Sequence, residues 1–176
     1  MNSALRQALI AADGLLRQGH AHAARTALDL FAVQNEADKA SAEFQLLLAQ
    51  ACFRDGDPES ARVQVESAIA QRPQWAEAHQ LRGLVLADLE LFEDAARSLE
   101  HALTLRPDNP RSCANLGAVY RRRAMLAEAA TMYRRAIALN PTYVQAWHGL
   151  AESLQVAGQD DAALEAWRRW SVQRAS

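Results

Sequence analysis

Three of the five prolines stand in one register: Pro73, Pro107 and Pro141 follow at intervals of 34 residues, closing the similar runs "AIAQRP", "ALTLRP" and "AIALNP". A fixed interval of this length restricts a chain to stacked copies of one supersecondary unit, since a single unit cannot bury its apolar face without a neighbour. Alanine falls into the same frame at Ala61, Ala95, Ala129 and Ala163, and again at Ala68, Ala102 and Ala136. Small residues share it at Ala49, Gly83, Gly117 and Ala151, where one helix face must admit its partner without a bulky substituent.

Within each period the signals describe two helices. Asp57-Pro58 and Asn109-Pro110 read as an N-cap followed by proline at the first helical position. Thr142 with Gln145 has the pattern of a capping box. Gly19, Gly56 and Gly158 fall between the two helices of their units, where a residue with positive φ ends the first helix, and the in-register prolines stop the second. Composition agrees: 50% of residues are apolar but only 6% aromatic, so the core is built from Ala and Leu and the fold class is all-α.

This pattern resembles the tetratricopeptide repeat (TPR) family, whose 34-residue unit is a helix-turn-helix. Counted from Ala42, Ala76, Pro110 and Val144, the units match best in the third, through Leu116, Gly117, Tyr120, Ala129, Tyr133, Ala136 and Pro141. Trp147, Leu150, Ala151, Ala163 and Trp167 carry the match in the last. An earlier unit keeps Gly19 and Ala24, and a three-residue excess falls in the polar connection around Asn35 to Lys39. The resemblance implies a right-handed α-solenoid in which the whole chain, 1–176, is one array, with units at 5–37, 42–75, 76–109, 110–143 and 144–176. Arg82 and His79 depart from the usual residues and point to a local shift in packing; Trp170 departs where the array ends or where something covers it. Trp167 is expected in the core, with Trp170 capping the last edge.

The family's concave groove, lined by the first helix of each unit, commonly binds peptide segments. By the resemblance, the groove positions here are Leu46, Leu47, Gln50, Phe53 and Arg54; Glu77, Gln80, Leu81, Leu84 and Asp88; Arg111, Asn115, Ala118 and Arg122; and Gln145, His148 and Glu152. Arg121, Arg122 and Arg123 cannot form one patch, because successive helical residues diverge by about 100°. Arg122 faces the groove, Arg121 flanks it and Arg123 belongs to the turn. Two readings stay open for Arg111 and Arg122: ion pairs with Glu77 and Asp88 of the preceding unit, or anchors for a ligand carboxylate, with Asn115 recognising peptide backbone. The two-carboxylate clamp of some co-chaperone members is absent, since Gln80, Leu84, Gln145 and Gly149 stand where it needs lysine, asparagine and arginine.

Other chemistries find little support. The net charge of −2 offers no global attraction to polyanions, so no nucleic-acid partner is expected. All basic residues but Lys39 are arginine, as in a high-GC bacterial genome. Cys52 and Cys113 belong to no paired motif and read as buried thiols. His20 and His22 lie near a turn with no carboxylate or cysteine at ligand spacing, so no metal is expected; His79, His101 and His148 lack a matching nucleophile, and no phosphate loop occurs. The chain has neither a signal-like start nor an apolar run near the ~20 residues of a membrane span, so no membrane partner and a cytoplasmic location are expected.

These residues therefore point to a non-catalytic, cofactor-free protein- or peptide-binding scaffold whose partner segment carries apolar and acidic residues. An alternative makes the array the N-terminal substrate-recruiting region of a larger bacterial enzyme of glycosyl- or sulfotransferase type. A further alternative is self-association through the terminal faces.

Overall fold

In the computed structural model, which describes residues 3–35 and 38–175, helix boundaries repeat the proline register. Among the described residues the helices are α1 (Ser3–Arg17), α2 (Ala21–Gln34), α3 (Ala42–Arg54), α4 (Pro58–Gln71), α5 (Ala76–Asp88), α6 (Phe92–Leu105), α7 (Pro110–Arg122), α8 (Leu126–Leu139), α9 (Val144–Val156) and α10 (Asp160–Ala175). There is no strand among the described residues. Part of the connection expected to hold the three-residue excess, Glu36 and Ala37, lies outside the described residues.

The chain divides into two compact units, Met1–Leu89 and Glu90–Ser176. In the first, α3 packs on α1, α2, α4 and α5; in the second, α7 packs on α6, α8 and α9, and α10 packs on α9. The in-register alanines Ala61, Ala68, Ala95, Ala102, Ala129, Ala136 and Ala163 are all buried, as close helix approach demands. Phe44, Leu28, Val65 and Val85 fill the first unit's core; Leu99, Cys113, Leu116 and Tyr133 are buried in the second.

The expected caps form at Asp57, which accepts from Ser60 N–H at 3.0 Å, and at Asn109, which accepts from Arg111 and Ser112 N–H at 3.0 and 3.2 Å. The capping box at Thr142 and Gln145 does not form. Helix α9 begins one residue later, after Tyr143, because the Thr142 hydroxyl and N–H both donate to Asn140 Oδ1 at 2.8 and 3.1 Å. That local side-chain turn satisfies the backbone that a box would have served.

His79 is no perturbation. It is buried and its Nε2 donates to the carbonyl of Pro73 at 2.8 Å, six residues back. Gln45 Nε2 donates likewise to Lys39 O at 2.6 Å, and Trp147 Nε1 to Pro141 O at 2.8 Å. In the remaining unit Cys113 stands at this position, and Arg135 Nη2 reaches Pro107 O instead, at 2.6 Å. Four different side chains thus satisfy one recurrent carbonyl at the unit junction.

Trp167 does not enter the core. Ala163 and Ala166 take the buried positions of α10, while Trp167 and Trp170 stay half-buried and meet edge to face with centroids 5.4 Å apart.

Candidate peptide-binding surfaces

In the first unit α1 and α3 leave an open groove of ≈ 330 Å³ between them. Leu46, Leu47 and Gln50 of α3 line it, as the register predicts, but so do Leu9, Ile10 and Asp13 of α1, with Glu43 and Trp75. The sequence reading missed the α1 residues because the first unit's register is weak. Ile10, 63% exposed, is the large apolar side chain that α1 leaves exposed. The rim is charged and internally paired: Asp13 with Arg17 at 2.8 Å, and Glu43 with Arg72 at 2.7 Å. The Arg72 guanidinium lies 4.5 Å from the Trp75 ring centroid.

The other first-unit candidates differ in what they offer a ligand. Leu81 is buried in the core, and half-buried Phe53 packs against that core. Arg54 donates to the Leu16 carbonyl at 2.9 Å, closing the end of α1. Glu77, Gln80 and Leu84 are half-buried on α5, and Asp88 is exposed at its end.

In the second unit the three arginines diverge. Arg121 Nη2 is 3.5 Å from Glu152 and its side chain hydrogen-bonds the Tyr133 hydroxyl. Arg122 lies over the Phe92 ring at 5.7 Å, a cation–π contact that neither sequence reading contained. Arg123 Nε is 3.2 Å from Glu93 Oε1. Arg111 is exposed, Ala118 half-buried, and Asn115 half-buried with its amide nitrogen enclosed and unpartnered. Gln145 is exposed. His148 Nδ1 lies 3.4 Å from Glu152 Oε2 and its ring meets Trp167 edge to face and Trp170 at a tilt, and Glu152 is shared between Arg121 and His148.

Gly149 explains why no clamp residue could stand at its position. A Cβ there would lie 2.2 Å from Tyr133 Cζ, so the tyrosine ring occupies the space of any side chain. Burial raises the Tyr133 pKa, against the Arg121 hydrogen bond. Tyr120 is pushed up to about 12 by burial and by its hydrogen bond to Glu100.

The histidine pair near the first turn has a neighbour that sequence spacing hid. His22 Nδ1 is 3.3 Å from Asp55 Oδ2, which Arg25 also approaches at 3.4 Å while reaching Asp57 at 2.9 Å. The Ser60 N–H, and then its hydroxyl, hold the Asp57 carboxyl below the usual range. No group of three potential metal ligands occurs among the described residues. Cys52 and Cys113 are buried free thiols, and burial pushes both pKa values up. No described helix is long and apolar enough to cross a membrane.

Tetratricopeptide repeat profiles match residues 15–85, 76–109 and 110–153. The chain belongs to the tetratricopeptide repeat family. Human Tetratricopeptide repeat protein 7B is 27% identical over 124 residues, covering 70% of this chain and 15% of that protein. Human Protein O-mannosyl-transferase TMTC1 is 25% identical over 131 residues, covering 72% of this chain and 15% of that protein. The TPR chain thus spans about a seventh of the length of these relatives. The solved structure of MamA from Desulfovibrio magneticus RS-1 superposes with a TM-score of 0.83 over 99% of this chain and 97% of its own, at 19% identity, which speaks for the fold.

Proposed function

We propose that this TPR chain is a non-catalytic scaffold that binds partner proteins through segments bearing apolar and acidic side chains. The observation that carries the reading is the α1–α3 groove, in which exposed Ile10 and half-buried Leu9 and Leu47 stand over buried Leu46 beside a paired charged rim. An apolar groove with few polar groups suits the insertion of leucine- or phenylalanine-sized side chains. In the second unit Arg111, Asn115 and Arg122 supply two cations and an enclosed amide, which suit a carboxylate and a peptide backbone.

Titrating a fluorescein-labelled peptide of alternating leucine and glutamate tests both surfaces. Leu47→Glu and Arg122→Glu should each weaken binding about tenfold with the helical circular dichroism unchanged. Unaltered affinity in either variant removes that surface from the site.

The partial match to an O-mannosyl-transferase supports a second reading, in which the array recruits substrates for a larger transferase. The reading frame beyond Ser176 decides between the two. Exposed Ile10, Leu30 and Val33 on the first helix pair, and Val156, Leu164 and Val172 on the last, support self-association. A molecular mass independent of concentration in light scattering would remove it.

A further inference from the structure

The repeat supplies its own control for an unfilled site in the second unit. Between α6 and α7, Tyr120 reaches across and donates its hydroxyl to Glu100 Oε1 at 2.7 Å. Beside it Arg123 pairs with Glu93 at 3.2 Å. An aromatic ring, a hydrogen-bonded carboxylate and an ion pair therefore occupy that slot, and the ≈ 300 Å³ cavity beside Tyr120 and Glu100 is lined further on by Leu103, Leu116, Met132 and Arg135.

One period later the same slot lies between α8 and α9, and its contents are gone. Leu154 replaces Tyr120, Ala157 replaces Arg123 and Ala127 replaces Glu93. An open cavity of ≈ 400 Å³ remains, lined by these three with Leu126, Ala130 and Gln159, among others. Its floor is apolar, with Leu154 and Ala130 buried. Where Glu100 stands in the filled slot this one has Arg134, exposed and the one charged residue among those that line the cavity. The volume falls in the range of small-molecule and side-chain pockets, and the charge at its rim is inverted relative to its neighbour.

We infer that the α8–α9 slot is a docking site for a partner segment that inserts an aromatic side chain next to a carboxylate. The ring takes the place that Tyr120 fills in the preceding slot, and the carboxylate answers Arg134 as the Tyr120 hydroxyl answers Glu100. The site involves neither the α1–α3 groove nor the Arg111–Arg122 stripe, so it stands independently of the function proposed above.

The probe is 3-phenylpropionate, an aromatic ring on a short carboxylate, titrated into the full ¹⁵N-labelled chain and followed by amide chemical shifts. Saturable shifts should centre on Ala127, Ala130, Leu154 and Ala157. Replacing the probe by 3-phenylpropanamide, or the protein by Arg134→Gln, should weaken binding about fivefold, as expected for one exposed ion pair. The double variant Leu154→Tyr, Arg134→Glu rebuilds the filled slot and should abolish the shifts. Absence of shifts at these four amides, or equal binding of acid and amide, overturns the proposal. Should the double variant fail to fold, the comparison of acid and amide on wild type and Arg134→Gln decides alone.

Discussion

Four turns of this chain need a left-handed residue at the same place in the 34-residue register, and two of them do without glycine. Gly56 and Gly158 hold φ of 85° and 71°, whereas Glu90 and Ala124 hold 60° and 59°. A side chain in this region crowds its own backbone, at a cost of roughly 1–2 kcal/mol. Ala124→Gly should therefore stabilise the chain by about 0.5–1 kcal/mol after the extra freedom of glycine in the unfolded state is counted. A urea titration showing no gain would mean that the turn is relaxed with alanine in place. At the same scale, Tyr133 explains two glycines together: it covers Gly149 and lies 3.1 Å from where a Cβ of Gly117 would be. One buried ring thus accounts for a small residue expected from the register and for one that the register assigned to the groove.

At the scale of the element, each junction between units is tied by a side-chain donor to a carbonyl that the in-register residue presents. Lys39, Pro73 and Pro141 are served from six residues ahead by Gln45, His79 and Trp147. This sequence spacing holds the second helix of one unit to the first helix of the next, whatever the donor. Trp147→Phe keeps an aromatic ring and removes the N–H, so it should cost about 1 kcal/mol, the net value of one hydrogen bond. Fluorescence-detected denaturation would be confounded by the lost tryptophan; far-ultraviolet circular dichroism checks the midpoint. The caps show the opposite sensitivity to residue type. Asp57 and Asn109 cap as their sequence context predicts, but Thr142 is drawn to the neighbouring Asn140 and leaves α9 to start without a side-chain cap.

For the whole molecule, stability rests on small interlocking side chains with a few large ones between them. Phe44 has 0% of its surface exposed and is the largest fully buried side chain among the described residues. Phe44→Ala should cost about 3–5 kcal/mol through lost burial and the cavity left behind. In a repeat protein the loss is felt mainly by near neighbours, so hydrogen exchange should accelerate first among the helices of the Met1–Leu89 unit. Uniform acceleration over both units would show that the chain unfolds as one cooperative body. Sequence alone determined the all-α class, the family, the caps at Asp57 and Asn109 and the buried alanines, because each follows from residue spacing and local caps within one 34-residue period. It also separated the three arginines, since helix geometry is local. Tertiary structure decided what spacing cannot carry: that α1 supplies one wall of the apolar groove, that Arg122 lies on Phe92, and that Trp167 stays outside the core. It also decided that the Tyr120–Glu100 pair occupies one slot while its repeat stands open beside Arg134. These outcomes depend on which side chains from separate helices compete for the same space, and a repeat register is silent on that competition wherever its large residues change.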